Sequence, residues 1–167
     1  AILPLAPAGG RVGDDENPLP SALSFNWQRT VPAFYIVSDL DSILPLVGMQ
    51  DLYQQNPEPK ITVVLENADH FHFNDNVEAI QDGFKLVIEA ANADADEETK
   101  KAVGEILSLM KPSTELVPGS HAYTLINGLG LAHFDAHLRN HEGAAAMLQR
   151  DLTSLMAERG ITVSLMS

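Results

Sequence analysis

Two polar residues stand one short step beyond two apolar runs. Residues 33–37, Ala-Phe-Tyr-Ile-Val, are followed by Asp41, and residues 61–65, Ile-Thr-Val-Val-Leu, by His70. Continuous apolar or β-branched runs of this length suit strands covered on both faces by helices. In an open parallel sheet, ligands bind beyond the carboxyl ends of the strands, and both residues fall at that edge. A carboxylate and an imidazole there make two thirds of a nucleophile–base–orienter triad. In such chemistry His70 takes the proton from an attacking serine and returns it to the leaving alcohol. Asp41 accepts from the other ring nitrogen, fixes the tautomer and stabilises the imidazolium. The plainer alternatives are a capping or core histidine, and a turn carboxylate that caps the following helix. Asp39 competes with Asp41 from two residues earlier, and Asp69 reads as a turn-former.

Other residues of chemical interest carry less. His72 pairs with His70 at strand spacing, but a metal site needs a third carboxylate or histidine ligand. His133, His137 and His141 put three imidazoles on one helical face. The outer two would stand about 12 Å apart by helix rise, too far to converge on one ion. Surface or packing roles are expected, with neighbouring pairs fit only for adventitious Zn²⁺ or Ni²⁺. Ser120 adjoins His121, yet it lies where a loop enters a helix and reads as an N-cap rather than a nucleophile. Asp14-Asp15-Glu16 lacks the alternating oxygen ligands of a calcium loop. Gly9-Gly10 lacks the rest of a phosphate-binding loop. Trp27, the single tryptophan, is expected to pack against the sheet.

The elements that must position Asp41 and His70 follow from patterning. Residues 1–6 read as a buried strand in which Pro4 is awkward, since it cannot donate to a ladder. Residues 7–30 are rich in Gly, Pro and Asp and read as a loop. An apolar stripe predicts a helix over 46–55, ended by Asn56-Pro57-Glu58-Pro59. Helical spacing predicts further helices over 76–92 and 96–110, with Asp96 as N-cap of the second. Residues 111–121 read as loop. Two amphipathic helices are expected over 123–139 and 143–159, punctuated by Gly143 and Gly160. Residues 161–165 form a short edge strand or an ordered tail. Strand–helix–strand order of this kind calls for a parallel sheet with crossover helices, a three-layer α/β/α arrangement. No second domain boundary is visible, and the helical block at about 76–121 either covers the cleft or packs beside it.

Composition narrows the partners. The chain has 167 residues, 45% of them hydrophobic, enough to bury a core. A net charge of −13 argues against nucleic acid and anionic membrane surfaces, both of which need Lys and Arg to neutralise phosphate. No cysteine is present, which removes disulfides, thiolate catalysis and cysteine–zinc sites from this chain. No apolar run reaches the ~20 residues of a membrane span. Composition leaves a cytoplasmic and a secreted setting equally open.

The turns themselves resemble a known family. Ser38-Asp39-Leu40-Asp41-Ser42-Ile43-Leu44-Pro45 resembles the acid turn of α/β-hydrolases, an apolar strand followed by Gly-x-x-Asp and a Val-Pro-like pair. Asn67-Ala68-Asp69-His70-Phe71 resembles the family's histidine turn, Gly-Ala-x-His-x-Phe. Gly130-Leu131-Ala132-His133-Phe134-Asp135-Ala136-His137-Leu138 is similar to the C-terminal helix of the dienelactone-hydrolase-like branch. The resemblance covers most of the chain, with Ser38 in place of the usual glycine, and its register favours Asp41 over Asp39. It implies an α/β-hydrolase sheet and hydrolysis of a small carboxylic ester or lactone, with Asp41 and His70 as acid and base and no cofactor or metal. The family's nucleophile elbow, Gly-x-Ser-x-Gly, has no counterpart in this sequence. The resemblance therefore implies the carboxyl half of such a domain over residues 1–167, partnered by an amino half that carries the serine. That half would be a separate chain or lie outside this sequence. An isolated carboxyl half would expose an apolar strand edge and tend to associate. Two alternatives stay open: a non-catalytic structural or binding half, and another class on the same fold, such as a lipase, peptidase or dehalogenase.

Overall fold

The computed structural model describes residues 1–7 and 28–167. The readings given above to Gly9-Gly10, Asp14-Asp15-Glu16 and Trp27 lie outside the described residues. The architecture is α/β. In chain order come β1 (Ala33–Ser38), α1 (Leu46–Gln55), β2 (Lys60–Leu65), a 3₁₀ turn (His70–Phe73), α2 (Val77–Ala91) and α3 (Glu97–Leu109). After a second 3₁₀ turn (Ser113–Glu115) follow α4 (Gly119–Leu125), a π-helical turn (Ile126–Gly130), α5 (Leu131–Leu138), α6 (Glu142–Leu148), α7 (Leu152–Ala157) and β3 (Val163–Leu165).

β1 and β2 are parallel, in the register Ala33↔Lys60 to Ser38↔Leu65. β3 joins the far side of β2 antiparallel and forms an edge. Every residue of β1 is buried, and the period-2 alternation of a strand divides them between two cores. Phe34, Ile36, Val63 and Leu65 point to the side covered by α4, α5 and α7, where Leu125, Leu129, Leu152 and Met156 meet them. Ala33, Tyr35, Val37 and Val64 point to the other side, against Met49 and Leu52 of α1. Each large apolar side chain so buried stabilises the fold by about 1.5–3 kcal/mol, against about 1 kcal/mol net for a ladder hydrogen bond. The two apolar faces thus hold the strands between helical layers. The Lys60 ammonium donates to the carbonyls of Tyr53 and Asn56, closing the carboxyl end of α1 onto the start of β2.

Residues 1–6 depart from the expected buried strand. They run parallel to β1 but make only two isolated bridges, Ile2↔Ala33 and Leu5↔Ile36, and they are half-buried or exposed. The hydrogen bonds show why. The Ile2 amide donates to Pro32, the Phe34 amide to Ile2, the Ile36 amide to Pro4 and the Ala6 amide to Ile36. The one missing rung is the donor that would face the Phe34 carbonyl, and that nitrogen belongs to Pro4. By strand alternation the backbone groups of Leu3 and Leu5 face away from β1. Among the described residues no strand pairs with them there.

The helices correct several expectations. Residues 119–138 form one helical rod that starts inside the expected loop 111–121, and its middle stretch, Ile126–Gly130, is π-helical, with backbone bonds spanning five residues where an α-helix spans four. Pro118, not Ser120, is the N-cap of α4, and Ser120 sits in its first turn. The single helix expected over 143–159 is two, because Asp151 accepts from the amides of Thr153 and Ser154 and starts α7 afresh. Asp96 does cap α3, accepting from the Thr99 amide. Gly160 takes φ +72° at the exit from α7, a conformation open to glycine. Among the described residues no helix is long and apolar enough to cross a membrane.

Helices α2 and α3 contribute nothing to either core. Of the two, α2 stands on the histidine turn: its Phe84 packs on Phe71, their ring centroids 4.7 Å apart. α4 meets the start of α2 where Gly119 faces Val77, and a Cβ on Gly119 would lie 2.7 Å from Val77 Cγ2. Val77 is buried and β-branched, so it has little room to turn aside. Gly119→Ala is expected to cost about 1–3 kcal/mol by overpacking, read as a lowered urea midpoint with an unchanged slope.

Candidate active site

The acid turn begins where β1 ends. The Asp39 amide donates to Leu65 and the Leu40 amide to Ala68, which closes the turn over the end of β2. Asp41 then folds back on its own chain. Its Oδ1 accepts from the amides of Ile43 at 3.0 Å and Leu44 at 2.6 Å, the local pattern that aspartate favours in turns. These bonds hold one carboxylate oxygen and leave Oδ2 for another partner. The plain reading of Asp41 as a turn carboxylate is thus true of Oδ1 alone.

The histidine turn begins where β2 ends. Asn67 takes a left-handed conformation, φ 56°, which asparagine tolerates better than most residues. Its carbonyl accepts from the Val117 amide and its side chain donates to the Glu115 carbonyl. Asp69 starts the 3₁₀ turn that carries His70.

The two turns bring Asp41 and His70 together. His70 Nδ1–H donates to Asp41 Oδ2 at 3.0 Å. The Asp41 side chain is 3% exposed and that of His70 24% exposed, so the pair is anchored on the acid side and reachable on the imidazole side. With Nδ1 engaged, Nε2 is the nitrogen left for proton transfer, and among the described residues nothing is bonded to it. The His70 pKa is raised above the usual histidine value, first by the hydrogen bond to Asp41. Burial opposes the rise, and the charges of Asp41 and Asp69 add to it. Two pH effects of opposite sign follow. The stabilisation from the pair is complete below the unfolded histidine value of about 6.5 and is lost as pH rises through the folded value. The neutral imidazole, the form able to accept a proton at Nε2, gains population over the same range. A titration of the His70 ring proton by NMR should place its midpoint above 6.5, falling when Asp41 becomes asparagine.

The rival Asp39 is placed elsewhere. Its carboxylate accepts from the Ala68 amide at 3.2 Å and joins the ends of the two strands. Asp69 is far more than a turn-former. It is 1% exposed, and its Oδ1 accepts from the Ser42 amide at 2.8 Å, the Ser42 hydroxyl at 2.8 Å and the His70 amide at 2.7 Å. Its Oδ2 accepts from Gln81 Nε2 at 2.8 Å, and that amide also donates to the Lys111 carbonyl. One buried carboxylate therefore ties the acid turn, the histidine turn and α2 together. Ser42 and Gln81 escaped the sequence reading. An aspartate before the histidine hints at a cap, but nothing local marks its partners.

His72 is buried, and both its nitrogens are committed. Nδ1 meets the Asp69 backbone and Nε2–H donates to the Val117 carbonyl, which leaves neither nitrogen for a metal. The expected stack of His133, His137 and His141 on one face does not form. α5 ends at Leu138, Asn140 turns the chain at φ 54°, and His141 caps α6 by accepting from the Ala144 amide. His133 is 2% exposed against Phe34, with His137 edge-on at 4.8 Å. Burial, and then His137, push its pKa down. Among the described residues no group of three or more His, Asp or Glu side chains is placed to hold a metal ion. Compared with protein-family models, with curated proteins and with solved structures, the chain matches none.

Proposed function

We propose that this chain supplies the acid and the base of a serine hydrolase acting on carboxylic esters or lactones, on a sheet of the α/β-hydrolase type. The 3.0 Å contact between Asp41 and His70 carries the reading. It joins the turns that follow two neighbouring parallel strands, at the edge where such sheets bind ligands. Burial of the acid, exposure of the imidazole and engagement of Nδ1 all suit a base poised to work through Nε2. The order of the segment 1–6, β1 and β2 as parallel neighbours also suits the carboxyl half of a larger parallel sheet. The outward-facing edge at Leu3 and Leu5 is where the amino half would add its strands.

In this reading a serine hydroxyl of that half attacks the carbonyl carbon while its proton passes to His70 Nε2. The tetrahedral oxyanion is held by backbone amides of the amino half. The ester C–O bond then breaks as the imidazolium gives the proton to the departing alcohol. Water repeats the sequence on the acyl-serine. Asp41 keeps Nδ1 protonated and steadies the imidazolium throughout. The reaction so written uses no cofactor.

A fluorophosphonate probe applied to the complete assembly tests the proposal. A labelled serine, with labelling abolished by His70→Ala, is the expected result. No labelling, or labelling indifferent to that substitution, overturns it. An ester panel run beside a haloalkane panel separates an esterase from a dehalogenase on the same fold.

A further inference from the structure

An apolar cavity of about 200 Å³ lies between the acid turn and the α2–α3 pair. Ile43 forms one wall, Phe84 and Ile88 of α2 a second, and Val103, Ile106 and Leu107 of α3 a third; Asn92 is its only polar lining residue. Two of these walls touch the candidate pair at one remove. The Ile43 amide donates to Asp41. Phe84 packs on Phe71, whose ring meets the His70 ring edge-on at 5.6 Å. The Asn92 Nδ2 donates to the Ile88 carbonyl, and every other lining residue is apolar. A neighbouring recess of about 410 Å³, which shares Asn92, Val103 and Leu107 with it, is lined also by Lys85, Glu89 and Lys100. Its charges suit a different guest.

We infer that the smaller cavity holds the apolar group of the ester, and that this group is the size of a benzene ring. The inference rests on the hydrolase reading of Asp41 and His70 and names its substrate class. Size supports it, since an apolar cavity of about 150 Å³ lined by aliphatic and aromatic side chains takes up benzene. Charge supports it as well. The chain carries a net charge of −13, which favours a neutral guest over an anionic one. The carboxylate released by hydrolysis is repelled where its neutral ester was admitted. The α2–α3 block thus forms the wall of the substrate site.

The test titrates the full chain with methyl benzoate and with methyl acetate, followed by NMR. Methyl benzoate is expected to bind at least about tenfold more tightly and to shift the resonances of Ile43, Phe84 and Val103. Val103→Phe and Ile106→Trp, which fill the cavity from half-buried and exposed positions, should each weaken it about tenfold while circular dichroism stays unchanged. Equal binding of the two esters, or unchanged binding in a folded filled variant, overturns the assignment. Ring-selective binding without fluorophosphonate labelling sinks the hydrolase and leaves the cavity. Labelling without ring selectivity sinks the cavity alone.

Discussion

His70→Ala is expected to cut ester turnover of the complete assembly by on the order of 10⁵–10⁶-fold, with little change in KM. Among the described residues the imidazole is the one group with a free nitrogen beside an anchored carboxylate, so none of those neighbours can take over the proton. The substitution also leaves the buried Asp41 Oδ2 without its partner, so circular dichroism and a urea midpoint are read beside turnover. Asp41→Asn should cost about 10⁴-fold and leave a signature that a structural role lacks. The largest cause of the raised His70 pKa disappears, so the acid limb of the pH profile moves to lower pH even as the rate falls. Asp39→Asn provides the contrast, because its carboxylate serves the Ala68 amide; turnover should stay within a few-fold of the parent. Comparable losses at Asp39 and Asp41 would remove the ground for assigning the acid.

Asp69→Ala is expected to be the most destabilising of the substitutions at this site, by about 3–5 kcal/mol. Four donors lose their acceptor at once: the Ser42 amide and hydroxyl, the His70 amide and the Gln81 side chain. Each buried donor left unsatisfied costs about 1–3 kcal/mol, and water entering the vacated space recovers part of the sum. Asp69→Asn should cost less than half as much. Its oxygen can keep the three donors at Oδ1, while its new amide faces Gln81, whose Oε1 is buried without a partner. Turning the Gln81 amide over converts that clash into a bond, at the expense of the bond to Lys111. Urea unfolding of Asp69→Asn, Gln81→Ala and the double variant would measure the coupling. Additive effects would show that the two side chains do not act as a pair.

The sequence made the strands and the first three helices legible because each announces itself locally. β1 and β2 are short apolar runs bounded by turn residues, α1 has its stripe and its terminal prolines, and α3 has Asp96 at its start. Two of the misreadings share one cause, a pattern that continues past a structural break. Apolar spacing runs on through residues 149–151, yet Asp151 finds better partners in the Thr153 and Ser154 amides than in a continued helix. His133, His137 and His141 keep helical spacing across Asn140, whose left-handed turn ends the register. At the site, the resemblance of the two turns pointed to Asp41 and His70. The carboxylate that assembles those turns was passed over, because its partners lie 27 and 12 residues away in sequence and no local pattern links them.

The rung lost to Pro4 leaves a mark on how β1 opens. Amides of Phe34 and Ile36 point to residues 1–6, while that of Ala33 points to the β2 side, and strand alternation sends those of Tyr35 and Val37 the same way. Along a single strand, then, neighbouring protons depend on flanks of unequal strength. Hydrogen exchange should run in alternation, with 34 and 36 released by partial detachment of the chain's start and 33, 35 and 37 held until the sheet itself gives way. An added strand beyond Leu3 and Leu5 would slow the two early protons and leave the others where they were.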